Sequence, residues 1–125
     1  MPAPSKRSRK GPSIAEAIRE KALEYPYTDE SHPWGESAFK VRKKTFIFMN
    51  EGDDRLTVTL KLPDSRDFAL DLPGSKPTGY GLGSKGWVTL EPSSKTPMGV
   101  LFALIEESYR AIAPKRVVKE LDARR

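Results

Sequence analysis

Six basic side chains are the residues of this chain whose types and spacing best suit a chemical task. Four lie within five consecutive positions, one precedes a glycine-rich segment and one lies within it: Lys40, Arg42, Lys43, Lys44, Lys76 and Lys85. No acidic residue lies between Lys40 and Phe48, so the first group can present uncompensated positive charge. Cations on a protruding β-hairpin are suited to neutralising nucleic-acid phosphates, and a β-ribbon fits the major groove. The alternative is a solvated turn whose lysines deter edge-to-edge pairing of sheets.

The positive charge of the chain is concentrated at its two ends. Of the total of +5, residues 1–12 carry +4 and Arg124 and Arg125 carry +2, which leaves −1 for residues 13–122. Residues 1–12 also combine proline, serine and glycine with few apolar side chains, a composition typical of disordered segments. We therefore predict a disordered basic tail over 1–12 and a single domain over 13–125.

Composition excludes several classes of site. The chain has no cysteine, which rules out disulfides, thiolate metal ligands and cysteine nucleophiles. No apolar run has the length of a membrane span, and the basic N-terminus lacks the apolar stretch of a secretory signal. We expect a cytoplasmic protein with no membrane partner and no cofactor.

Residues 81–86 spell GxGxxG, but they lack the context of a dinucleotide site. Such a site needs a helix directly after the glycines, whereas Trp87–Leu90 has the pattern of a strand. We interpret the glycine-rich loop, with Lys76, Tyr80 and Lys85, as a second protruding loop or as ordinary surface.

The single histidine, His32, lies near Glu30 and Glu36. A histidine beside carboxylates could act as a base or a metal ligand. No second histidine exists and the sequence places no nucleophile, so we interpret His32 as a surface residue. We predict no catalytic residue, no metal ligand and no enzymatic activity.

Helices are predicted near both ends of the domain. Residues 13–16 have the spacing of a capping box, and apolar residues at helical spacing predict a helix to about Tyr25, ended by Pro26. Thr96-Pro97 is a suitable N-cap and first residue for a second helix that extends through residue 113. Pro114 breaks this helix and starts the last one. The inner side of the last helix is predicted from three apolar residues: Val117, Val118 and Leu121.

Alternating apolar residues over 39–72 predict three β-hairpins. The hairpins are joined by a two-residue turn at Arg42-Lys43 and by loops at 50–54 and 63–67. The registers that place the apolar residues on one face are Phe39 opposite Phe46, Phe48 opposite Leu56, Phe46 opposite Val58, Leu62 opposite Phe68 and Leu60 opposite Leu70. A shift by one residue would move these side chains to opposite faces.

The predicted fold is α+β. It has a single antiparallel sheet of about five strands, arranged as a meander, with the N-terminal and C-terminal helices packed on one face. Strands are also expected at residues 28–31 and at Trp87–Leu90, with Trp87 beneath the C-terminal helix. The face opposite the helices, which includes Ile47, Met49 and Thr57, is predicted to be open to solvent or to a partner.

Several segments in this order resemble the MmcQ/YjbR-like family over roughly residues 14–122. The matching segments are Trp34-Gly35, Phe39-Lys-Val-Arg-Lys-Lys-Thr-Phe46, Leu60-Lys-Leu-Pro63, Trp87-Val-Thr89, Leu104-Ile-Glu-Glu-Ser-Tyr109 and Ala113-Pro-Lys-Arg116. The hairpin turn of the family usually carries glycine, whereas Lys43 stands here. The resemblance implies an antiparallel sheet with helices on one side and a DNA-binding role through protruding wings, and it identifies no reaction.

We predict a small non-enzymatic module that binds DNA through its basic loops, with the tail adding nonspecific affinity. The alternative is a protein-interaction or small-ligand module that uses the open sheet face around Ile47, Met49 and Thr57. A monomer or a weak dimer is expected.

Overall fold

The chain forms one antiparallel sheet with helices packed against it. The computed structural model describes residues 13–32, 36–52 and 55–125, so the predicted tail over 1–12 lies outside the described residues, as does Trp34. The helices are α1 (Ile14–Glu24), α2 (Arg66–Leu70), α3 (Met98–Ile112) and α4 (Lys115–Ala123). The strands are β1 (Thr28–Ser31), β2 (Ser37–Val41), β3 (Lys44–Glu51), β4 (Leu56–Lys61), β5 (Lys76–Pro77) and β6 (Trp87–Leu90).

The strands of the described residues pair in the order β1-β2-β3-β4-β6-β5, and neighbouring strands are antiparallel. The α+β prediction is confirmed. The sixth strand is the short β5, within a segment predicted to be loop. No helix in the described part of the chain is long and apolar enough to cross a membrane.

The start of α1 follows from its predicted capping box. The hydroxyl of Ser13 accepts from the Glu16 backbone N–H at 3.1 Å, and the Glu16 carboxylate accepts from the Ser13 N–H at 2.9 Å. Two backbone donors that the helix leaves free are thus satisfied.

The last two helices also lie close to their predicted positions. Pro97, and not the predicted Thr96, is the N-cap residue of α3, because the Thr96 hydroxyl instead accepts from the Ser93 N–H at 2.9 Å. Helix α4 follows Pro114 and buries Val117 and Leu121 as predicted, whereas Val118 is only half-buried.

The turn between β2 and β3 has the predicted two residues, but the register changes beyond it. Val41 pairs with Lys44, yet Phe39 pairs with Ile47 instead of the predicted Phe46. A β-bulge causes the shift, since two residues of β3 oppose one residue of β2. Both Phe46 and Ile47 are thereby fully buried in the core.

The predicted face of β3 is wrong as a result. Ile47 pairs with Leu60 and Met49 pairs with Val58, and all four side chains are buried in the core that the helices cover. Phe48 lies on the opposite face. The predicted pairs Phe46–Val58 and Phe48–Leu56 do not occur, because the β3–β4 connection is tighter than predicted and pairs Glu51 with Leu56.

The predicted third hairpin is also wrong, because residues 66–70 form α2 and not a strand. The place beside β4 is taken by β6, whose Val88 pairs with Leu60. The Glu107 carboxylate accepts from the backbone N–H groups of Asp64 and Ser65 at 2.8 and 2.9 Å. These bonds fix the chain at the start of α2, and Phe68 is left 53% exposed.

Trp87 does not pack beneath α3. Val88 and Leu90 point into the core, so the alternation of β6 places Trp87 on the outer face. There its ring lies 5.8 Å from that of Phe48.

A side chain of α3 enters the sheet between β3 and β4. The hydroxyl of Ser108, which is fully buried, donates to the carbonyl oxygen of Phe46 at 2.6 Å. The Ser108 hydroxyl oxygen in turn accepts from the backbone N–H of Lys61 at 2.9 Å. The helix therefore supplies a link between two strands just beyond their last pair, Ile47 and Leu60.

Candidate nucleic-acid interface

The basic turn between β2 and β3 is held in an unusual backbone conformation. Arg42 and Lys43 have φ values of 51° and 74°, the left-handed pair that a two-residue type I′ turn requires. Glycine and asparagine favour this conformation, and side chains such as those of Arg42 and Lys43 rarely adopt it. Arg42, Lys43 and Lys44 are all exposed, so the turn presents three cations to solvent.

Arg42 is held in place by Tyr27. Its guanidinium carbon lies 4.2 Å from the centre of the Tyr27 ring, a cation–π contact, and its backbone N–H donates to the Tyr27 carbonyl at 3.3 Å. The Tyr27 hydroxyl donates to the Glu120 carboxylate at 3.1 Å. This chain of contacts fixes the turn against β1 and α4.

The first turn of α4 adds cations beside the hairpin turn. Arg42 and Arg116 line one shallow groove together with Pro114 and Val117, and Lys115 and Arg116 are exposed. Sequence reasoning missed this pair as part of the site. The predicted inner side of α4 implied that both would be exposed, but their proximity to the hairpin depends on how α4 packs.

These cations are not neutralised by carboxylates of the described chain. No ion pair within 4 Å forms at Lys43, Lys44, Lys115 or Arg116 among the described residues. The groove beside the turn does contain one acid, since Asp29 lines it with Tyr27 and Arg42.

The loop between β5 and β6, residues 78–86, lies at the same end of the sheet as the basic turn. Strands β3 and β6 are both antiparallel to β4, so both begin at this end. From the strand order, the centres of the two loops are three strand spacings apart, or about 14 Å. Both loops singled out in the sequence therefore lie at one end of the sheet.

The second loop is closed at its base and exposed at its tip. Backbone bonds join Gly83 to Thr78 at 2.9 Å and Trp87 to Leu82 at 3.2 Å. A side chain at Gly83 would lie 2.9 Å from the Thr78 carbonyl oxygen, so this close approach requires glycine. The tip carries Tyr80, whose side chain is fully exposed.

Lys85 is the cation that the second loop adds. It ends the short 3₁₀ helix Gly83–Lys85 and is exposed. Asp64, which follows β4, lies at the same end between the two loops. The basic surface is therefore divided into two parts.

The structure does not place Lys40 and Lys76 with these residues. Lys40 is half-buried and is paired across the strands with Asp29, whose charge opposes its own. Lys76 is on the edge strand β5, opposite Thr89, and is not part of the loop at 78–86. Of the six predicted residues, Arg42, Lys43, Lys44 and Lys85 share one end of the sheet.

The surroundings of His32 are consistent with its interpretation as a surface residue. Its Nε2 lies 3.1 Å from the Glu30 carboxylate, which also accepts from Arg19 at 3.0 Å and from the Ser37 hydroxyl at 2.8 Å. Burial acts to raise the pKa of Glu30, but the hydrogen bonds from Arg19 and Ser37 outweigh it and lower this pKa. His32 is itself exposed. Among the described residues, no cluster of three or more histidine or acidic side chains could hold a metal ion.

Sequence and structure comparisons find relatives over most of the chain. The family model described as YjbR matches residues 23–111, a region that includes both loops and ends before α4. A search of curated proteins gives no significant match.

Solved structures of two bacterial proteins are among those similar to this chain. The crystal structure of Deinococcus radiodurans protein DR2400, described as a DUF419 domain, is 25% identical and has a TM-score of 0.71. The match covers 86% of this chain and 87% of that chain. A Pseudomonas syringae protein is 20% identical with a TM-score of 0.62, covering 80% of this chain and 98% of that chain, and this second likeness shows the fold alone.

Proposed function

Because the chain belongs to the YjbR family and carries exposed cations on both loops of its family-matched region, we propose that it is a non-enzymatic module that binds duplex DNA. The basic turn at 42–44 and the loop at 78–86 contact the phosphate backbone at two points. The observation that carries this proposal is the placement of both loops at one end of the sheet. Their separation of about 14 Å is close to the width of the major groove, about 12 Å.

The charges at this end favour phosphate contact over specific base recognition. Lys43, Lys44 and Lys85 are exposed point charges on flexible stems, which suit phosphate binding. Lys115 and Arg116 extend the first contact beyond the region that the family model matches. Arg42 differs from these residues, because its contact with Tyr27 restricts its side chain before any ligand binds.

A salt titration of duplex binding tests the proposal. Phosphate contacts release counterions, so log affinity falls with log salt by about 0.9 per contact. Replacing Lys43, Lys44 and Lys85 by serine should flatten this slope by up to about 2.7. The matched control replaces three exposed or half-buried lysines elsewhere by serine: Lys40, Lys76 and Lys119.

The control separates local contact from overall charge. If both triple variants flatten the slope equally, general electrostatic attraction explains binding and the two-loop site is wrong. Wild-type protein that binds a duplex no better than a neutral protein of this size at low salt would end the proposal. Asp64→Asn should strengthen binding, because Asp64 lies between the loops and repels a bridging phosphate backbone.

The alternative function placed a binding surface for a protein or a small ligand on the open sheet face around Ile47, Met49 and Thr57. Two of these three residues do not lie on that face. Ile47 and Met49 are fully buried in the core, and only Thr57 of the three named residues is partly exposed. We therefore do not assign a binding role to that face.

A further inference from the structure

A small cavity lies at the opposite end of the sheet from the two basic loops. It has a volume of about 120 Å³ and opens between residues 72–75, residues 90–97 and the first turns of α3. Its apolar floor is formed by Leu90, Leu101 and Leu104, each of which is buried. Leu90 ends β6 whereas the basic loops lie where β6 begins, so the cavity is a separate feature.

The rim of the cavity is rigid. Three prolines line it, Pro73, Pro92 and Pro97, and proline fixes its own φ angle. Residues 93–96 form a closed turn in which the Thr96 N–H donates to the Ser93 carbonyl at 2.9 Å. The Ser93 N–H donates in turn to the Thr96 hydroxyl at 2.9 Å. A ligand would therefore enter a largely preformed site, which lowers the ordering cost of binding.

The polar groups at the cavity favour an anion. Lys95 lines the opening, is exposed and forms no ion pair among the described residues. The one acid there, Glu91, is paired with Arg55 at 3.4 Å. Ser75 also lines the cavity, and its buried hydroxyl has no hydrogen-bond partner within the described chain, which is unfavourable unless an acceptor is supplied.

We infer that this cavity binds a small monocarboxylate with an aromatic or branched aliphatic body. The apolar body would fill the space between the three leucines, and the carboxylate would lie at the opening beside Lys95. An apolar cavity of about 150 Å³ accommodates benzene, so a body of about six carbon atoms suits the volume seen here. The inference is independent of the proposed DNA binding.

Benzoate is a suitable probe, with benzyl alcohol as its uncharged counterpart. Each is titrated into the full-length protein while backbone amide shifts are followed by NMR. We expect saturable shifts from benzoate confined to residues 72–75, 90–97 and 101–104, with residues 42–44 and 78–86 unchanged. Benzyl alcohol should bind at least about threefold more weakly, since it lacks the charge that pairs with Lys95.

Variants test the assignment of both parts of the ligand. Lys95→Ser should weaken benzoate binding about threefold and leave benzyl alcohol binding unchanged, whereas the matched surface variant Lys119→Ser should alter neither. Leu104→Phe should block both probes by filling the cavity. Absence of saturable shifts at the cavity would overturn the site. Equal affinities for the two probes, or equal effects of the two lysine variants, would overturn the anionic class of ligand.

Discussion

The phenol oxygen of Tyr109 donates a hydrogen bond to the carbonyl oxygen of Pro26 at 2.7 Å, and so joins α3 to the chain just beyond α1. Tyr109 is fully buried. Its ring stacks on Tyr25 with centroids 4.6 Å apart and meets Phe46 edge-on at 5.2 Å. Burial raises the pKa of Tyr109 to about 12, so the hydroxyl remains a donor throughout the neutral range.

Tyr109→Phe should therefore lower the free energy of unfolding by about 1–3 kcal/mol, because it leaves the buried Pro26 carbonyl without its partner. Tyr27→Phe is the matched control, since it removes a hydroxyl that donates to Glu120 at the surface. The control should change stability by less than about 0.5 kcal/mol. Urea denaturation measures both values, and equal losses would contradict this role of Tyr109.

Alanine substitutions should distinguish the two faces of the sheet. Ile47→Ala and Leu60→Ala should each cost about 2–5 kcal/mol, because both side chains are fully buried in the core. Thr59→Ala should cost less than half as much, since Thr59 lies on the other face and bonds to Thr89 at 3.0 Å. Similar costs at Ile47 and Thr59, measured by chemical denaturation, would show that the observed register of β3 is wrong.

Glycine should be favourable at one position of the basic turn and unfavourable at the next. Lys43 has a φ of 74°, so Lys43→Gly should raise stability by up to about 1 kcal/mol by relieving a left-handed conformation. Lys44 is the first residue of β3, where Lys44→Gly should cost about 0.5–1 kcal/mol. Thermal unfolding of the two variants checks the opposite signs, and a loss of stability in both would argue against the type I′ turn.

Stability should fall in acid through Glu106. The pKa of Glu106 is lowered from 4.5 to about 2. The hydrogen bond from Arg125 is the largest cause of this shift, and a hydrogen bond from Arg110 adds to it. A carboxyl whose pKa is lower in the folded state stabilises the protein above its ordinary pKa, and this contribution is lost as the pH falls. The loss should therefore occur between about pH 4.5 and pH 2.

Glu106→Gln should lower the melting temperature at pH 7 and flatten its decline over that acidic range. Glu20→Gln, at an exposed position of α1, is the control and should keep the wild-type dependence on pH. An unaltered acid profile in Glu106→Gln would show that the ion pairs with Arg110 and Arg125 contribute nothing to folding.

Tyr80 tests whether the second loop binds single-stranded DNA in addition to the proposed duplex, and replacing it should not change the dependence of affinity on salt. An exposed aromatic ring stacks on an unpaired base with about 1–3 kcal/mol per base, and it makes no phosphate contact. Tyr80→Ala should therefore weaken binding to single-stranded DNA while the salt slope stays constant, and Tyr80→Phe should restore affinity. If Tyr80→Phe binds as weakly as Tyr80→Ala, stacking is not the role of this side chain.

Local patterns predicted three of the four helices and five of the six strands described by the structure. These elements depend on signals that act over only a few residues and can therefore be recognised in the sequence alone. The signals are the capping box at Ser13, the prolines at 26 and 114, and the two-residue turn at Arg42-Lys43. The registers were less predictable. The bulge that pairs Phe39 with Ile47 has no local signal, because Phe46 and Ile47 are both apolar and either could face the core.

The basic site was predictable in part for the same reason. Arg42, Lys43 and Lys44 form a compact signal within one turn, and Lys85 lies in a recognisable glycine-rich loop. Lys40 and Lys76 have the same charge, but the structure pairs Lys40 with Asp29 and places Lys76 on an edge strand. The role of α4 and the exchange of a predicted strand for α2 both depend on contacts between distant segments.

The hydroxyl of Ser108 has a consequence for the order in which the molecule folds. Phe46, Lys61 and Ser108 are far apart in sequence, and the link between β3 and β4 at this point exists only when α3 has docked. Strand pairing over Ile47–Glu51 needs only a short chain closure and can form early. At the end of the sheet that carries the two basic loops, this link between β3 and β4 therefore forms only when the helical layer and the sheet become one cooperative unit.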